Sequence, residues 1–94
     1  MGMVARGKPV ELAPAPWPDI PSDDLIGEVA RQLVLNLRAA IGDQSIRSVA
    51  TAAGMNHVTV LNVLAGRVWP DLATIAKLER GLGRPLWPSA IAER

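Results

Sequence analysis

From residue 22 onward the chain carries apolar positions at helical spacing. Leu25, Val29, Leu33 and Leu37 recur every four residues, and Ile26, Ala30, Val34 and Ile41 widen the same stripe. That period places a row of side chains on one face of an α-helix. Ser22 is the expected N-cap, with Asp23 and Asp24 in a first turn whose dipole favours anions; Gly42 ends the helix. Leu35 falls off the stripe, among Glu28, Gln32 and Arg38. A second helix is predicted from Ile46 to Ala53, capped by Ser45 or Asp43, with Val49, Ala50 and Ala53 inward. Gly54 follows, able to take positive φ without a steric cost. Asn56 is placed to cap a third helix, His57 to Ala65, with Val60, Val63 and Leu64 inward and Gly66 as its stop. After the loop "RVWP", Asp71 is placed to cap a fourth helix carrying Leu72, Ile75, Ala76, Leu78 and Leu82, closed by Gly81 and Gly83. The last stretch, "RPLWPSAIAE", has room for one more turn or a short helix from Pro88. No segment alternates with the period of a strand, and no repeat is present, so the expected class is all-α.

Ahead of the first helix the pattern changes. Residues 1–21 contain five prolines, each lacking a backbone donor and pushing the residue before it out of the helical region. This reads as an extended, polyproline-like N-terminal arm, set against a helical domain over residues 22–94. Trp17 is expected to fold back onto the body as an anchor; a loose tail is the other reading.

Composition narrows the class. Ninety-four residues make one small domain at most, and 49% apolar residues argue against a disordered body. With no cysteine, disulfides and thiolate metal sites are excluded. No apolar run reaches the roughly 18 residues of a bilayer span, and the N-terminus lacks the apolar core of a secretory signal, so a cytoplasmic location is expected. The net charge of +1 is uninformative, but its distribution is polarised. Residues 11–28 hold five acids and no base; residues 44–70 hold two arginines, one histidine and no acid.

Two short helices joined by a tight glycine turn are what a helix-turn-helix requires. One helix rests across the phosphate backbone and holds the other in the major groove. Ala50 supplies the small residue at the helix crossing, Gly54 the turn, and Met55, Val60 and Val63 the inner seal. An acid on the outer side would repel phosphates, and the stretch has none. The segment "SIRSVATAAGMNHVTVLNVLAGRVWPDLATIAKLERGLGRPL", residues 45–86, resembles the lambda-repressor/Cro-type helix-turn-helix proteins, a bacterial and phage group often called the XRE family. The matching features are the polar cap, Val49-Ala50, Ala53-Gly54-Met55, Val60, Val63, Gly66, a loop ending at Pro70, and the helix "DLATIAKLERGLG". The resemblance implies a compact bundle of four or five helices with its helix-turn-helix core at 45–66. It also implies sequence-specific binding of double-stranded DNA for transcription regulation, usually as a homodimer whose recognition helices lie about 34 Å apart. This chain departs from the family where Gln is often found, at Ile46, and in the apolar Val58 and Leu61 of the third helix.

The N-terminal part of a recognition helix approaches base edges most closely. The candidates for base contact are therefore His57, Val58, Thr59, Leu61 and Asn62. Asn suits adenine N6 and N7, and apolar groups suit a thymine methyl. Ser45, Arg47, Asn56 and Arg67 are the candidates for phosphate, and Arg6 and Lys8 of the arm for a minor groove. A solvated surface residue is the plainer reading of Asn62 and of each arginine. His57 has no second His or Cys to join it in a metal site, and no cofactor is expected. Trp69 reads as a core plug. Leu35, Leu86, Trp87 and Ile91 are candidates for a homodimer contact.

Three functions compete. The first is a DNA-binding transcriptional regulator. The second is an antitoxin-like or adaptor protein whose main partner is another protein, bound through the Pro-rich arm. An enzyme is the third and weakest reading. Asp23, Asp24 and Glu28 are explained as first-turn dipole partners, and no nucleophile–base pair or phosphate loop is present.

Overall fold

Four helices form where the apolar spacing places them. A computed structural model of the chain describes residues 7–89. Among these residues are α1 (Leu25–Ile41), α2 (Ile46–Ala53), α3 (His57–Leu64) and α4 (Leu72–Leu82), preceded by a 3₁₀ turn at Pro9–Leu12, with no strand. No helix among the described residues is long and apolar enough to cross a membrane. Residues 84–89 are not helical. Ile91 and Arg6 lie outside the described residues.

Side-chain caps start each helix. Ser45 accepts from the Ser48 N–H at 3.0 Å, Asn56 from Val58 at 2.7 Å and Asp71 from Thr74 at 2.7 Å. These satisfy backbone donors that a helix leaves without partners. At α1 the cap differs from the expected Ser22: Asp24 caps it, accepting from Gly27 at 2.7 Å. Ser22 is drawn elsewhere, its hydroxyl donating to the Leu12 carbonyl and accepting from the Asp24 N–H.

The core collects Leu33, Val34, Leu37 and Ile41 of α1, Val49, Ala50 and Ala53 of α2, Val60 and Val63 of α3, and Ile75 and Leu78 of α4. Leu86, 1% exposed, completes it. This removes Leu86 from the dimer candidates. Gly81, expected to close α4, instead lies within it at the crossing with α2. A Cβ there would come within 2.9 Å of the Ala52 carbonyl and the Ala53 Cα, so only glycine lets the two backbones approach this closely.

The first turn of α1 departs from the expected buried stripe. Leu25 is 63% exposed, and Ile26 edges an open groove of about 410 Å³ between α1 and α4. Leu33, Pro70, Leu72 and Trp87 also line it. Leu72 and Trp87 are largely exposed. Leu35 is half-buried.

Glu28 lies in the first turn of α1, as a dipole partner would, but it does not face water. It is buried with Arg31, its Oε1 accepting from Arg31 Nε and Oε2 from Arg31 Nη2, both at 2.8 Å. Its remaining capacity takes the Ser22 N–H at 2.8 Å and Gln32 Nε2 at 2.9 Å, while Arg31 Nη1 donates to the Pro18 carbonyl at 2.9 Å. The hydrogen bond that Arg31 donates to Glu28 outweighs the cost of burial and raises the Arg31 pKa above its ordinary value. The pair thus binds α1 to the arm on both sides. Replacing Arg31 by Ala leaves a buried carboxylate without its cation. We expect a loss of about 3–5 kcal/mol, measured by chemical denaturation, and a loss below about 1 kcal/mol would contradict this role.

The carboxylates of Glu79 and Asp71 titrate below the ordinary range. Glu79 does so because it accepts the Leu86 N–H at 2.7 Å and the Trp87 N–H at 3.1 Å. Asp71 does so because of its backbone and then its side-chain hydrogen bond from Thr74. A folded-state pKa below the unfolded one stabilises the fold above the unfolded value, near about 4, and this contribution fades as pH falls through the lowered one. Glu79→Gln should therefore melt at a lower temperature than the parent at neutral pH, with the difference shrinking as the pH falls below the ordinary carboxylate range. A difference independent of pH would contradict the assignment.

Candidate nucleic-acid interface

The corner between α2 and α3 is set by Gly54. Its φ of 70° and ψ of 39° lie in the left-handed region, costly for residues with a Cβ. From there the Met55 N–H returns to the Ala50 carbonyl at 2.9 Å. Val49, Ala50 and Ala53 meet Val60 and Val63 across the corner, all buried, with Met55 packed against them.

Burial on one side of α3 fixes what the other side presents. Val58 and Leu61 are the most exposed of its residues, at 49% and 42%. His57 and Asn62 flank them, half-buried. Thr59 is also half-buried, and the helical period turns it toward the opposite flank, away from Val58 and Leu61. The centre of the outward face is therefore apolar, with a polar residue on either side.

The charged candidates frame this face. Arg47, Asn56 and His57 line a small polar hollow of about 180 Å³ at the α2–α3 corner, with Ala50, Thr51 and Met55. At the other end Arg67 Nη1 donates to Asn62 Oδ1 at 3.3 Å. Arg47 and Arg67 are both exposed. Ser45 and Asn56 are exposed too, but their side-chain oxygens are engaged as helix caps, which leaves their contribution to a ligand mainly through the helix ends they fix. No group of three or more His, Asp or Glu that could hold a metal occurs among the described residues.

The arm contacts this region directly, with Trp17 its anchor. The Trp17 Nε1 donates to the Leu64 carbonyl at 3.0 Å, at the carbonyl end of α3. Its ring covers Gly66 so closely that a Cβ there would lie 2.8 Å from it. The Val10 N–H donates to the Gly66 carbonyl at 2.9 Å, and Trp69 Nε1 to the Gly7 carbonyl at 2.8 Å. Pro9 and Pro18 are fully buried. Gly27 makes room for the 3₁₀ turn on α1, with Leu12 Cβ 2.9 Å from where its own Cβ would stand. Proline spacing gives no hint of the two indole hydrogen bonds, whose partners lie 47 and 62 residues apart along the chain.

No protein-family model matches the chain, and no curated protein matches it.

The Trp17 contact separates into ring packing and one hydrogen bond. Trp17→Phe keeps most of the ring and loses the bond to Leu64, and should cost about 1 kcal/mol. Trp17→Ala opens a cavity as well and should cost about 3 kcal/mol. Equal, small losses for both in urea denaturation would mean that the indole does not hold the end of α3.

Proposed function

We propose that the chain is a sequence-specific double-stranded-DNA-binding protein, a transcriptional regulator of lambda-repressor-like fold that inserts α3 in the major groove. The observation that carries this reading is the outward face of a glycine-turned helix pair, free of acids from residue 44 to 70 and framed by Arg47 and Arg67. A phosphate polyanion is the partner such a face suits, since each acid there would repel it and each arginine attracts it. In this reading Val58 and Leu61 meet thymine methyls, His57 and Asn62 read base edges from the flanks, and Arg47 and Arg67 hold phosphates. Thr59 contributes from the edge of the contact. Ser45 and Asn56 act through the helix N-termini they cap, whose N–H groups favour phosphate oxygens.

An eight-residue recognition helix reads only a short run of base pairs, so two copies on paired half-sites are part of the proposal. Exposed Trp87 and half-buried Leu35 are the surface residues proposed for contact between copies. The alternative, an antitoxin-like or adaptor protein bound through its Pro-rich arm, is weakened because Pro9, Trp17 and Pro18 are packed into the chain's own body.

Selection of duplex sites from a random pool, followed by fluorescence anisotropy with purified protein, tests the reading. On the selected site Asn62→Ala should weaken binding by roughly 1–3 kcal/mol and relax one base position. Arg67→Ala should weaken selected and scrambled duplexes alike and flatten the salt dependence by about one unit. Failure of the parent protein to bind any duplex at low salt would sink the reading. An Asn62→Ala loss equal on both duplexes would remove that residue from base contact.

A further inference from the structure

The arm does more than brace α3. It meets the α3–α4 loop through two hydrogen bonds, Val10 N–H to the Gly66 carbonyl and Trp69 Nε1–H to the Gly7 carbonyl. These bonds hold residues 7–10 of the arm against residues 66–69 of the loop. Pro9 is buried and Lys8 is exposed. Lys8 is thereby brought beside the loop that carries Arg67, although 59 positions separate the two residues in the sequence.

The same contacts change the polarity of this edge. The carbonyl end of a helix carries partial negative charge and unpaired acceptors. Here the arm donates to one of these carbonyls, Leu64 through Trp17, and to the Gly66 carbonyl just beyond the helix through Val10. The acid that faces Lys8 is Glu11, whose Oε1 is turned back to accept the Lys8 N–H at 2.8 Å. An edge that would disfavour phosphate therefore has these carbonyls occupied and gains a second cation, Lys8, with Glu11 beside it.

We infer that Lys8 is a further phosphate-contacting residue, carried by the arm to stand with Arg67 at the end of the DNA face. This rests on the DNA-binding reading above. A protein neutralising one phosphate fewer loses about 0.9 from the slope of log affinity against log salt on duplex DNA. Lys8→Gln should flatten the slope by that amount, on selected and scrambled duplexes alike, and Lys8→Gln with Arg67→Gln by about twice as much. Glu11→Gln should strengthen binding at low salt. Lys8→Gln should leave the melting temperature unchanged, because the side chain is exposed, so a fold defect is not mistaken for a lost contact. If the parent protein binds and Arg67→Gln flattens the slope while Lys8→Gln does not, the inference about Lys8 fails and the DNA-binding reading stands. If the parent protein ignores duplex DNA, both fail.

Discussion

Trp17 lying on Gly66 is the contact on which the described structure turns. A side chain at residue 66 would occupy the space the indole fills, and the indole N–H takes the Leu64 carbonyl at the close of α3. That one side chain ties the N-terminal arm to the end of the helix whose outer face is proposed to read DNA. The Glu28–Arg31 pair then ties the arm to α1 through Ser22 and Pro18. The described part of the arm is thus held against both α3 and α1. Its prolines suit this role, since a chain with fixed φ loses less entropy when it is pinned.

The polarised charge of the sequence has a structural counterpart. The five acids between residues 11 and 28 fall on the arm and the start of α1. Three of them are spent on internal hydrogen bonds: Glu11 on Lys8, Asp24 on Gly27 and Glu28 on Arg31. None is needed on α2 or α3, whose caps are the neutral Ser45 and Asn56. Neutral caps satisfy the same backbone donors without placing negative charge where phosphates would approach. Capping chemistry and the acid-free face are in this sense one constraint met by one choice of residues.

Local rules made the helices legible. The caps at Ser45, Asn56 and Asp71, the turn at Gly54 and the inward rows of α2 and α3 all follow from residues within a few positions of one another. Trp17 could be read as an anchor because a large aromatic among prolines has few other places to go, but its partner could not. What stayed illegible depends on contacts distant in sequence. The first-turn place of Glu28 was legible, but its burial with Arg31 was not, because it requires the arm to cover both. Ser22 looked like the cap because its competing bond to Leu12 is visible only once the arm has turned. Gly81 looked like a helix stop because its contact with Ala52 exists only when α4 crosses α2. Of the candidate site, the outward placement of Val58 and Leu61 follows from the helical period, whereas the pairing of Asn62 with Arg67 and the approach of Lys8 to the same loop depend on the tertiary fold.

The central claim is that the acid-free face of α2 and α3, closed at one end by the arm, is a surface for duplex DNA. Titrating isotope-labelled protein with a short DNA duplex and following backbone amide shifts by NMR tests it most directly. The account predicts salt-sensitive shifts concentrated at residues 45–48, 56–62 and 66–68 and at Lys8, with little change along the groove between α1 and α4. Shifts confined to that groove, or no shifts at low salt, would contradict it.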